Sequence, residues 1–167
     1  MKALLSAAVE LCLLRLGPQH MPASPALLGL LLLLNLIVGS AGVMLRGIEF
    51  SKAMLESLFE LVVMLLVLHL ALKLTRKLSR FYQTGIALLL SGILLNLLAL
   101  PLVSWNQSSA TVESVLLQWL LIFWIILVVG HIIRHAFNVD LNVGIAISLF
   151  YTLASWSLAA MLFPVVA

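Results

Sequence analysis

The chain has 167 residues, of which 64% are hydrophobic and only 9% charged, against about 25% charged in ordinary soluble domains. That composition excludes a water-solvated globular surface. The net charge of +3 is too small to point to a nucleic-acid partner. Cys12 is the single cysteine, so no intrachain disulfide forms. Val9-Glu10-Leu11 precedes it where a lipoprotein signal has small residues, and Cys12 therefore reads as a small apolar filler.

Residues 2–16 resemble a signal peptide only at first sight. Lys2 opens the segment and Ala3 to Val9 is apolar, but Glu10 and Arg15 interrupt the run and no small-x-small cleavage site precedes Gly17-Pro18. At about 100° per residue, Lys2, Ser6 and Glu10 share one narrow stripe of a helix that is otherwise mostly Leu, Ala and Val. This predicts a retained amphipathic helix at the membrane interface, with a soluble docking helix as the alternative. Pro18, Pro22 and Pro25 then hold residues 17–25 extended, and Pro25 suits the first turn of the next helix.

Five apolar segments follow, at roughly 25–45, 57–74, 84–103, 114–133 and 141–163, near or within the 17–25 residues a helix needs to cross a bilayer. The first carries Asn35 and the small cluster Gly39-Ser40-Ala41-Gly42. The second has Glu60 near its start and His69 near its end. The third holds Gly85, Gly92 and Asn96 and is expected to stop at Leu100-Pro101. The fourth ends in Gly130-His131-Ile132-Ile133-Arg134-His135. The fifth bears Gly144, Ser148, Thr152 and Ser155 at steps of four, four and three, a stripe of small residues suited to packing on another helix. Leu-Leu-Asn-Leu occurs at 33–36 and at 94–97, a weak hint of internal duplication. The expected fold is one all-α domain over 1–167, a polytopic membrane bundle of five transmembrane helices plus the N-terminal interfacial helix.

Basic residues set the orientation. With the N-terminus inside, Lys2, Arg15, Lys73, Arg76, Lys77, Arg80 and Arg134 lie on the cytoplasmic side, and Arg46 and Lys52 lie outside. The chain is therefore expected in a bacterial inner membrane, with its N-terminus cytoplasmic and its C-terminus outside.

Three constellations carry polar chemistry. His69, Lys73, Arg76, Lys77 and Arg80 fall on one side of a helix and, with Arg134, form a basic ridge suited to anionic lipid head groups or an acidic partner. Ordinary positive-inside anchoring accounts for the same residues. His131, Arg134, His135 and Asn138 share another face. Two histidines one turn apart can chelate a metal or haem but need a third ligand, from His69, Glu60 or His20, and of these His69 is the intramembrane residue that the topology offers. Glu49, Lys52, Glu56 and Glu60 form a third face, where Glu60 is either a proton- or cation-linked carboxylate or an acid paired with Lys52 or Arg46.

There is no G-x-S-x-G, H-E-x-x-H, phosphate-cradling glycine loop or C-x-x-C, so neither catalysis nor a cofactor is expected. The leading expectation is a non-enzymatic membrane protein acting by lateral association, as a scaffold or accessory subunit beside a membrane protein partner or a second copy. The alternatives are a small transporter or lipid-binding protein, with Glu60, His69, His131, His135 and Arg134 in a polar pocket between spans two and four, and a metal or haem protein using His69, His131 and His135.

The run Arg15-Leu16-Gly17-Pro18-Gln19-His20-Met21-Pro22-Ala23-Ser24, Gln83-Thr84-Gly85, Leu100-Pro101 and Gly130-His131-Ile132-Ile133-Arg134-His135-Ala136 together resemble a group of small proteobacterial membrane proteins of unknown function. The five-span layout with a cytoplasmic N-terminus is similar to the Yip family, whose eukaryotic members act in vesicle trafficking and bind Rab GTPases. The resemblance implies this layout and no catalytic residue.

Overall fold

In the computed structural model, which describes residues 2–163 and the side chains of 4–163, the chain folds into six α-helices. They are α1 (Lys2–Cys12), α2 (Pro25–Met44), α3 (Phe50–Leu74), α4 (Phe81–Ser108), α5 (Val112–Phe137) and α6 (Leu141–Leu162). Helices α2 to α6 are each long and apolar enough to cross a bilayer. Among the described residues there is no strand. Backbone groups in lipid must be satisfied within the segment, which a helix achieves alone.

Local sequence explains where the helices begin and end. The Ser24 hydroxyl accepts the Leu27 N–H at 3.3 Å and Pro25 takes the first helical position of α2. Thr111 and Ser114 form a reciprocal capping box at the start of α5. The α3 terminus closes with Arg76 in the left-handed region (φ 58°), its N–H on the Lys73 carbonyl and that of Lys77 on the Leu72 carbonyl. These are the paired bonds of a Schellman ending. Asn138 (φ 52°) ends α5 in the same conformation.

The helices run past the apolar windows of the sequence. α3 starts at Phe50 rather than near 57, because the stretch from Phe50 to Glu60 is itself helical, with Glu49 as its N-cap. α4 does not stop at Leu100-Pro101 but continues to Ser108. Pro101 removes one backbone donor, and a membrane helix tolerates that loss.

The five spans close in the cyclic order α2, α3, α6, α5, α4. α4 also packs on α3 and on α1, so it is the hub. Its buried residues, Thr84 to Ala87, Leu89 to Ser91 and Leu95, surround much of the helix. Asn35 of α2 donates from Nδ2 to the Leu89 carbonyl of α4 and to its own helix at Leu31, both at 2.9 Å. Asn96, in the second Leu-Leu-Asn-Leu, is exposed. The two copies thus differ in environment and support no duplication.

The tightest seam joins α5 and α6. A β-carbon on Gly130 would lie 2.9 Å from the Ile145 Cα, and one on Gly144 would strike the Gly130 carbonyl oxygen. Ser148 and Ser155 are buried along the same face, so the small-residue stripe of α6 meets α5.

α1 docks on α4 and the edge of α5 through Ala8, Leu11 and Cys12, with Leu11 fully buried. Ser6 and Glu10 lie on the opposite side, Glu10 exposed and Ser6 largely so, and Leu5, Val9 and Leu13 are exposed on the flank between. The Lys2 end of the polar stripe falls outside the described side chains.

Candidate functional site

The spans alternate in direction, so the α2, α4 and α6 starts share one rim with the α3 and α5 ends. At this basic rim the joint between α3 and α4 reaches across to the end of α5. Lys77 Nζ donates to the Phe137 carbonyl. Arg80 donates to the carbonyls of His135 (3.0 Å) and Ala136 (3.1 Å). The last carbonyls of a helix lack partners within it and form the negative end of its dipole. Two cations of the expected ridge, the half-buried Lys77 and the exposed Arg80, therefore bond the end of α5, whereas Lys73, Arg76 and Arg134 are exposed and make no such bond among the described residues.

The same rim holds the segment between α1 and α2. Pro18 and Gln19 sit beside Arg80, Gln83, Thr84, His135 and Ala136, leaving about 10 Å³ between them, on the order of a single water. Gln83 Nε2 donates to the Gln19 carbonyl at 3.4 Å. His131 is buried, with Nε2 3.3 Å from the Leu16 carbonyl. The rings of His131 and His135 meet edge to face at 4.6 Å, and His20 lies within electrostatic reach of His135. Three short motifs distant in sequence, in 15–24, 83–85 and 130–136, thus converge on one place. Beside it, Arg134, His135, Asn138, Val139 and Asp140 line an open groove of about 440 Å³.

The opposite rim is acidic. Arg46 pairs with Glu56 at 2.7 Å, and Glu56 is buried while Arg46 is half exposed. Glu60, one turn further along α3, is within electrostatic reach of Tyr151 of α6, and Phe59 packs edge to face on Phe163 at 5.8 Å. Arg46 therefore serves Glu56 directly, and Lys52 is exposed.

The residues expected to share a pocket go to three different neighbours. Glu60 turns to α6. His69 is exposed and packs on Phe81 at the start of α4, at 5.6 Å. His131 and His135 turn to the N-terminal segment. The cause is the helix order, in which α6 on one side and α4 on the other separate α3 from α5. Among the described residues no three His, Cys, Asp or Glu gather closely enough to hold a metal ion. His69 is thus not the third partner of the α5 histidines. His20 is the nearer histidine, and its place in the proline-bound segment leading to the basic rim is the sequence signal for it.

Comparison of the chain with protein-family models, with curated proteins and with solved structures finds no match in any of the three.

Proposed function

We propose that this is a non-enzymatic protein of a bacterial inner membrane, with its N-terminus cytoplasmic, that acts by lateral association as a scaffold or accessory subunit. The observation that supports this reading is the uneven covering of the spans. One third of the apolar window is buried in α4 and in α5 (33% each), but only 22% in α3 and 17% in α6. α6 leaves Phe150, Leu153, Trp156 and Met161 exposed, and α3 leaves Leu55, Val62, Leu66 and Leu70. These two helices, in contact with each other, are the least covered of the five spans. In lipid, association of such surfaces with another helix rests on close van der Waals packing, since lipid tails solvate apolar side chains equally well.

The basic rim faces the cytoplasm in this reading, following the excess of Lys and Arg. There Lys73, Arg76 and Arg134 are free to contact anionic head groups, each worth about 1 kcal/mol near a charged surface.

The test is native mass measurement in mild detergent, with cross-linking from a cysteine placed at Trp156 in a Cys12→Ser background. A dimer or a stoichiometric complex captured from that position supports the reading. A strictly monomeric species without a cross-linked partner, in native membranes as in detergent, overturns it.

A further inference from the structure

Two of the chain's four histidines, His131 and His135, meet where the N-terminal segment lies on α5, and His20 of that segment is within electrostatic reach of His135. His131 is only 6% exposed. Its Nε2 faces the Leu16 carbonyl, and its ring abuts His135. His20 is held by Nδ1 at 3.3 Å from the Gly17 carbonyl.

The fixed charges around this cluster are mostly positive. α5 itself contributes Arg134. The start of α4 contributes Arg80, on the carbonyls of His135 and Ala136, and the joint before it contributes Lys77, on that of Phe137. Arg15 is exposed in the segment itself. Among acids, Asp140 lines the open groove with Arg134 and His135 at the start of α6, and Glu10 is exposed on the side of α1 away from the seam. The one ion pair among the described residues is Arg46–Glu56, at the other rim. Among the described residues no carboxylate is bonded to His20, His131 or His135.

Each proton taken up here adds a positive charge among cations, and at His131 it does so almost out of reach of water. A buried charge without a partner is costly, and exposure to water relieves the cost. We propose that the seam is a proton-operated latch, in which protonation of the pair His131 and His135 releases the N-terminal segment from α4 and α5. Release frees the apolar face Ala8, Leu11 and Cys12 for the lipid surface. The hydrogen bonds that release breaks are those of Leu16 with His131 and of Gln19 with Gln83.

The sign follows from linkage. The docked form binds fewer protons than the free one, so docking weakens as pH falls through the ordinary histidine range near 6.5. Between pH 7.5 and 5.5 the change is about tenfold for one excluded proton and about a hundredfold for two.

Cys12 reports the latch directly, because it is buried in the docking face. The experiment measures its reaction with an aromatic disulfide in proteoliposomes, relative to the denatured protein at the same pH, while helicity is followed by circular dichroism. The expected result is a tenfold or greater rise in relative reactivity from pH 7.5 to 5.5 at unchanged helicity. The rise falls to less than threefold in the double variant His131→Gln, His135→Gln, in which the first of the two new side-chain amides retains a donor for the Leu16 carbonyl. A flat wild-type profile overturns the proposal without recourse to any variant. So does a rise accompanied by loss of helicity, or one that persists undiminished in the double variant.

Discussion

Gly144 lies directly against the backbone carbonyl of Gly130, in a contact that admits no β-carbon. The obstacle is backbone, which cannot rotate away as a side chain can. Gly144→Ala is therefore expected to destabilise the bundle by about 1–3 kcal/mol or more, read as a lower midpoint in thermal or SDS unfolding. Gly29→Ala supplies the contrast, because nothing lies within 4 Å of the added carbon. There the helix gains about 0.5–1 kcal/mol from replacing glycine. Equal effects at the two positions would contradict the close seam.

The basic rim divides into structural and free cations, and the division is measurable. Arg80→Ala removes the one guanidinium nitrogen that serves two carbonyls at the end of α5 and is expected to cost about 1–2 kcal/mol. Lys73→Ala touches no such bond and is expected to change stability by less than about 0.5 kcal/mol. Retention of anionic lipid in native mass spectra should respond in the other order, falling more for a Lys73→Ala, Arg134→Ala double variant than for Arg80→Ala.

At the opposite rim, Arg46→Ala would leave the buried Glu56 carboxylate without its partner. Breaking such a pair costs about 3 kcal/mol, at the low end of the buried range because Arg46 is half exposed. Adding Glu56→Gln removes the orphaned charge and should restore most of the loss. A double variant no more stable than Arg46→Ala in SDS unfolding would show that the pair contributes through packing alone.

The span count was legible because each apolar run approaches the bilayer thickness, and the α6 face was legible because Gly144, Ser148 and Ser155 differ in size from their neighbours. The packing of the leucine-rich helices was not. Leu31 is buried and Leu33 exposed, yet the residue type is the same, and in a helix apolar on every side periodicity carries no facing information. Asn35 and Asn96 share one local sequence, but only Asn35 finds a carbonyl on a neighbouring helix. The rim position of His69, His131 and His135 could be read from span direction. Their neighbours depended on helix order, and the placement of α6 between α3 and α5 separated them. α1 showed its polar stripe in sequence, whereas its docking face, Ala8, Leu11 and Cys12, is as apolar as the flank it leaves exposed.

Cys12 gives the last prediction, on the alkaline side of neutrality. Burial pushes its thiol from an ordinary value of 9.0 up to about 11, because the low-dielectric docking face disfavours the thiolate. The folded protein should therefore resist maleimide at pH 8, while the denatured chain reacts readily. The sign for docking follows from the raised value. The contribution of the neutral thiol is fully present below pH 9 and is lost as pH rises towards 11, since the free segment releases its proton first. Labelling across pH 8–11 should show its inflection near 11 when folded and near 9 when denatured. An inflection near 9 in the folded protein at full helicity would place Cys12 in water, and α1 away from α4.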